Sequence, residues 1–149
     1  MKASELDLHT KIAAGVIFVE EEDKRFLLLL RSDYVPSSNS WSLPGGKGER
    51  DETPVITAKR ETNEEIGYDL TDKKLSLIYV NEEHWPKFKF YTYGVVVAKA
   101  FKPQLNYENS DYIWCDLDSL PENLHWGIKQ MLRNKKAMKK LRKLTKSVD

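Results

Sequence analysis

Apolar and polar positions alternate along this chain in blocks of different period, and the blocks predict its elements. Ile12-Ala13-Ala14-Gly15-Val16-Ile17-Phe18-Val19 is apolar and rich in β-branched residues, and it ends in an acidic turn, Glu20 to Lys24, before a second apolar run from Phe26 to Leu30. That pattern predicts two strands joined as a hairpin. Arg31 to Ser40 is polar, with Pro36 among serines, and predicts a loop leading through Trp41-Ser42-Leu43-Pro44 to the pair Gly45-Gly46, a glycine-rich turn.

A helix with clear punctuation follows. Thr53 suits its cap, Pro54 its first position and Gly67 the position past its end, so the predicted span is about Pro54 to Ile66. Val55, Ala58, Thr62 and Ile66 recur at spacings of three and four and form one stripe for the core. Leu75 to Val80 and Phe88 to Ala98 predict strands, the latter approached by the alternation Lys87, Phe88, Lys89, Phe90. A loop from Lys102 to Asp111 leads to a strand that opens at Tyr112, Pro121 breaks the chain, and one final helix starts near Leu124. Strands around a capped helix, closed by another helix, predict an α/β fold in which a mixed sheet packs between helices.

At 149 residues the chain fits one domain with one core, expected over 1–149 with a basic helical tail at about 129–146. Its 40% hydrophobic and 32% charged residues exclude a disordered chain and a membrane protein. No signal-like apolar stretch opens the chain, and the single Cys115 has no disulfide partner, so a soluble protein in a reducing, cytoplasmic setting is expected. Cys115 sits in a strand pattern and reads as a packing thiol, not a nucleophile.

The net charge of +1 hides an asymmetry. Nine of the 24 basic residues fall between Lys129 and Lys146, where no acidic residue occurs; the other 15 share positions 1 to 128 with 22 acidic residues, a body near −7. An acidic body suits a site that gathers divalent cations better than a general nucleic-acid surface.

One constellation carries chemistry. After Gly46 come five residues and Glu52, seven residues and Arg60-Glu61, two residues and Glu64-Glu65, then one residue, Gly67 and Tyr68. Helical geometry places Glu61 beside Glu64 and Glu65, so three carboxylates crowd one helix face. A solvated helix gains nothing from that repulsion, whereas a hard divalent ion reverses its sign by taking the oxygens as ligands, alone or with phosphate. The glycine turn offers backbone N–H groups, and the helix N-terminus partial positive charge, to phosphate oxygens. Lys47 beside the turn suits a phosphate charge. Arg60 suits bidentate pairing with a carboxylate such as Glu52 or Glu64.

The segment resembles the signature of the Nudix hydrolases, G-x5-E-x7-R-E-U-x-E-E-x-G-U, where U is apolar. All seven invariant letters fall on Gly46, Glu52, Arg60, Glu61, Glu64, Glu65 and Gly67. At roughly 7% frequency per residue type, chance produces such a match on the order of once in a million chains. Thr62 and Tyr68 depart from the U positions. Similarity extends to the Ala14–Ile17 strand, the leucine-rich strand closing at Arg31, the Trp41–Lys47 approach and the Trp114–Pro121 stretch, and spans residues 10 to 135.

The resemblance implies an α/β/α sandwich with a mixed β-sheet and a pyrophosphohydrolase using Mg²⁺ or Mn²⁺. It implies metal contacts from Glu61, Glu64 and Glu65, with Glu52 and Gly46 near them, and substrate contacts from Arg31, Gly45, Gly46 and Lys47. Glu64, Glu65 or a loop carboxylate would be the general base; Glu108 fits that loop position best, with Glu82 and Glu83 as competitors. Lys47 and Arg60 complete the catalytic candidates. A homodimer is common among relatives.

Three functions follow as alternatives: cleavage of a nucleoside diphosphate linked to another group (ADP-ribose, a dinucleoside polyphosphate or a dinucleotide cofactor); pyrophosphate removal from a nucleoside triphosphate or an RNA 5′ end, with the basic tail as RNA contact; and a catalytically silent nucleotide-binding module. Mutually repelling glutamates argue against silence. Tyr34, Trp85 and Trp126 are candidates for base stacking, while Trp41 and Trp114 read as core or loop anchors. His9, His84 and His125 form no metal-ligand spacing.

Overall fold

A computed structural model describes residues 10–84 and 87–146. His9 and Trp85 lie outside these residues. Seven strands, β1 (Lys11–Glu20), β2 (Phe26–Arg31), β3 (Trp41–Ser42), β4 (Gly45–Lys47), β5 (Ser76–His84), β6 (Lys87–Val97) and β7 (Asn109–Cys115), form one mixed sheet. Among the described residues three helices, α1 (Pro54–Ile66), α2 (Trp126–Arg133) and α3 (Lys135–Lys146), cover its faces.

The long apolar run of β1 is explained by its place at the centre. It pairs in parallel with β6 along its whole length, antiparallel with β4 from Ala13 to Gly15, and antiparallel with β2 at Val19 and Phe26. Its residues are buried on both faces: Ala14, Val16 and Phe18 face Ala58 and Ile66 of α1, while Ile17 and Val19 share a cluster with Ile128 and Met131 of α2 and Ala137 and Leu141 of α3. A strand covered on both sides reads as continuous hydrophobicity instead of alternation. The mixed sheet between helices matches the expected α/β/α architecture.

The helix α1 has the bounds its punctuation predicts. Thr53 accepts from the Ile56 N–H at its start, and Gly67 ends it in the left-handed region at φ 68°, where a side chain is strained. Ala58, Thr62 and Ile66 are buried as the stripe requires, while Val55 is partly exposed. Both departures from the signature pack inward: Thr62 is fully buried, and Tyr68 sets its ring edge against Phe18 with centroids 5.0 Å apart.

Four expectations change. The Gly45-Gly46 segment is a strand held against β1, not a free turn, because glycine lets the two backbones meet closely. Strand β5 runs to His84, where Glu82 pairs with Lys89 of β6; ladder bonds extend a strand through polar residues that break the apolar pattern. Strand β7 begins at Asn109, so Asn109 to Asp111 belong to the sheet and not to a loop. The closing helix is two helices, because Asn134 leaves helical geometry and its Oδ1 caps α3 by accepting from the Ala137 N–H at 2.9 Å. Among the described residues no helix is long and apolar enough to cross a membrane.

Candidate active site

Glu65 is the centre of the site. It lies on the last turn of α1 with 2% of its surface exposed, facing the sheet. Both oxygens are held: Oε2 accepts from the Gly45 N–H at 2.6 Å and Oε1 from Nδ2 of Asn109 at 2.9 Å. Burial nevertheless dominates and pushes its carboxyl up to about 8, with Glu108 and Glu61 adding repulsion. Burial likewise raises Glu61.

Glu61, Glu65 and Glu108 converge, with one oxygen from each lying within 4.8 Å of the others. Glu61 and Glu65 come from adjacent turns of one helix, whereas Glu108 arrives from the segment before β7. That segment is fastened to the helix end: the Gln104 N–H donates to the Ile66 carbonyl at 3.0 Å, the Asn106 N–H to the Glu65 carbonyl at 3.1 Å, and Asn106 Nδ2 to the Glu64 carbonyl at 3.3 Å. The C-terminal carbonyls that a helix leaves unpaired are thereby satisfied, and the same bonds deliver Glu108 and Asn109 to Glu65.

This cluster passes a simple test for a divalent cation. Three hard oxygen donors meet where burial and repulsion disfavour the charged forms of Glu61 and Glu65, so a cation removes a cost that the bare protein bears. Gly46 is packed tightly beside it, since a Cβ there would stand 2.5 Å from Glu61 Oε2.

Glu52 and Glu64, also expected as ligands, are turned elsewhere. Arg60 donates from Nε to Glu52 Oε2 at 2.6 Å and from Nη2 to Glu52 Oε1 at 2.9 Å, and Glu52 also accepts from the Glu49 N–H and the Thr57 hydroxyl. The guanidinium bonds above all hold the Glu52 carboxyl down to about 2. Glu64, one turn beyond Arg60 and 54% exposed, accepts from Nη1 at 3.1 Å, and the same nitrogen reaches Glu61 at 3.1 Å. Arg60 Nη2 also donates to the Lys47 carbonyl at 3.0 Å. The arginine thus ties the loop after β4 to the carboxylate face of α1, as its fork geometry suits.

Two phosphate contacts expected from the backbone are differently placed. The Gly45 N–H is taken by Glu65. The N-terminus of α1 is capped by Thr53 and lies about 16 Å along the helix from Glu65, because the carboxylates occupy its last two turns. Glu82 and Glu83 lie on β5, with Glu82 near Lys89 at 3.8 Å, and neither joins the cluster.

A cleft of about 410 Å³ opens on the other side of β4, lined by Gly45, Gly46, Lys47 and Arg31 together with Phe88, Phe90 and Trp126. Arg31 Nε donates to the Pro36 carbonyl at 2.7 Å. Trp126 is therefore at the cleft, Tyr34 is 83% exposed away from it, and Phe88 and Phe90 share one sheet face. His125 caps α2 by accepting from the Gly127 N–H; burial first, and Arg31 second, hold its imidazole below the usual range. Trp114 anchors Phe101 through its Nε1 donor. Sequence reasoning missed Asn109, Asn106 and Asn81, whose partners come from distant segments and leave no local spacing.

A sequence model of the NUDIX domain matches residues 9–135. The chain is 42% identical over 55 residues to the CMP-5′-(N-acetyl-N-hydroxy-3-aminopropyl)phosphonate hydrolase of Streptomyces rubellomurinus, covering 37% of this chain and 27% of that protein. It is 32% identical over 119 residues to the m7GpppN-mRNA hydrolase of Saccharomyces cerevisiae, covering 74% of this chain and 11% of that protein. These matches thus span about a quarter or less of the relatives' own lengths. The MutT NUDIX hydrolase of Burkholderia pseudomallei shares the fold, with a TM-score of 0.69 at 24% identity over 85% of this chain and 98% of that one.

Proposed function

The chain belongs to the Nudix family, and from that premise we propose that it hydrolyses the pyrophosphate bond of a nucleoside diphosphate linked to another group, with Mg²⁺ or Mn²⁺ as cofactor. The convergence of Glu61, Glu65 and Glu108 carries this reading. Such a cation, when bound, neutralises the diphosphate and lowers the pKa of the attacking water. Glu61 and Glu65 would hold it from α1. Glu108 faces them from the opposite segment and takes the proton of that water. Arg60, fixed by Glu52, keeps the Lys47 loop on the helix, and the exposed Lys47 ammonium meets the charge of the departing phosphate. With the Gly45 N–H engaged by Glu65, the Lys47 and Arg31 side chains make the polar contacts to substrate along the cleft.

The names of the two relatives support a nucleotide joined to a second group, in one case a phosphonate and in the other a capped mRNA. A metal-dependent activity screen tests the reading, using ADP-ribose, dinucleoside polyphosphates, dinucleotide cofactors, nucleoside triphosphates and RNA with capped or triphosphorylated ends. AMP plus a phosphorylated partner is the expected outcome. Tight nucleotide binding without turnover of any member, with Mg²⁺ and Mn²⁺ both supplied, would point to a silent binding module and sink the proposal.

One observation favours RNA 5′ ends as a second reading. Trp126, Lys129 and Arg133 recur on one face of α2, and α3 continues the exposed basic surface through Lys135, Lys136, Lys139, Lys140 and Lys143. Because Trp126 lines the cleft, this basic ridge starts at the cleft mouth. Inorganic pyrophosphate or a 5′-monophosphate RNA among the products supports it.

A further inference from the structure

Asn81 sits on β5 with 3% of its surface exposed and lines the cleft. Its Nδ2 donates to Gln130 Oε1 at 2.8 Å and to the Gly127 carbonyl at 3.3 Å. A backbone carbonyl only accepts, so the amide nitrogen is fixed on that side and Oδ1 points away from it. Among the described residues no donor reaches Oδ1. Nor is it sealed in: among the described residues the buried side-chain polar atoms without a partner are Arg25 Nε and Thr62 Oγ1. Asn81 Oδ1 therefore opens to the cleft as a free acceptor on a nearly buried, fixed side chain.

Its surroundings are those of a base reader. Phe90 lies directly across from Asn81 in the β5–β6 register, so the two side chains share one sheet face. Phe88 and Trp126 add aromatic surface. Stacking on aromatic rings gives affinity with little choice among bases, because every base has a π face, whereas a fixed acceptor discriminates by what is placed opposite it. On the far wall, β4 joins the cleft to the carboxylates, since Gly46 borders both.

We propose that this cleft seats the nucleobase and that Asn81 Oδ1 accepts a hydrogen bond from an exocyclic amino group, selecting adenine or cytosine over hypoxanthine or uracil. The inference rests on the nucleotide-hydrolase reading above. A keto oxygen in the amino position sets two acceptors face to face and leaves Asn81 unpaired, the loss by which hydrogen-bonding sites reject analogues most strongly.

Calorimetric titration of the full chain with AMP against IMP, and CMP against UMP, in the presence of Mg²⁺ tests it. The amino member of at least one pair binds about tenfold or more tightly, and Asn81→Leu brings that ratio near one. Equal affinities in both pairs, a preference for the keto member, or no binding of any of the four overturns the assignment in the wild-type chain, whatever the variant's stability. A folded Asn81→Leu that keeps the preference overturns it too. If the chain separates AMP from IMP but hydrolyses no diphosphate derivative, the enzymatic reading fails while the base assignment stands.

Discussion

Gly45 donates its backbone N–H to Glu65 Oε2 across 2.6 Å, joining residues twenty positions apart and fixing a buried carboxylate between β4 and α1. Asn109 holds the other oxygen. Two donors orient the group but do not offset its burial, and repulsion from Glu108 and Glu61 adds to the cost. Three consequences can be measured.

The first concerns pH and stability without metal. The folded-state pKa of Glu65, about 8, lies above its ordinary value of 4.5, so its contribution is fully present below pH 4.5 and is lost as pH rises toward 8. In EDTA the melting temperature falls across that window, and Glu65→Gln flattens the fall. In the same variant kcat drops roughly 10²- to 10⁴-fold if the metal cluster supplies several kcal/mol. Circular-dichroism melts at stepped pH check the first part, and a variant that loses stability in parallel with wild type would show that Glu65 does not carry the effect.

The second concerns Arg60. Its fork is matched to both oxygens of Glu52 and reaches Glu61, Glu64 and the Lys47 carbonyl. An ammonium on a lysine stem is a point charge without that fork, so Arg60→Lys is not conservative here. With Arg60 26% and Glu52 12% exposed, the loss is discounted for solvent to about 1–3 kcal/mol, below that for a fully buried pair. Urea denaturation at pH 7 measures it. A change under about 0.3 kcal/mol would mean that the network only decorates the surface.

How far the sequence disclosed these features follows from the range of the interactions. The punctuation of α1 by Thr53, Pro54 and Gly67 is local, and it made the approximate bounds of the helix legible. The seven motif letters lie within 22 positions and were equally plain. What they do not contain is partner geometry: Glu61, Glu64 and Glu65 share a helix face, yet i+4 turns Glu65 into the core while Glu64 pairs outward with Arg60. Asn109 and Asn81 act on residues 44 and 46 or more positions away, which no spacing rule anticipates. The second break in the closing segment was hidden because Asn134 caps a helix without the proline or glycine that usually announces one.

The third consequence separates the two readings of function. If RNA lies along the ridge, its phosphates displace counterions from exposed lysines, and log K falls linearly with log salt by about 0.7 per neutralised phosphate on a single strand. Each lysine removed then lowers the slope by about that amount. A Lys136→Gln, Lys139→Gln, Lys143→Gln variant tests this directly, since all three residues are exposed and stand on α3, away from the cleft lining. Triphosphorylated RNA should bind it more weakly, with a shallower salt dependence, while hydrolysis of a small diphosphate such as ADP-ribose keeps its rate because that substrate ends within the cleft. An RNA affinity that ignores both salt and the three substitutions would remove the ridge from substrate recognition and leave small nucleotides as the substrate class. Equal losses on RNA and on the small substrate would show instead that α3 acts by supporting α2 and Trp126 at the cleft, a packing role through Ala137 and Leu141 and not an electrostatic one.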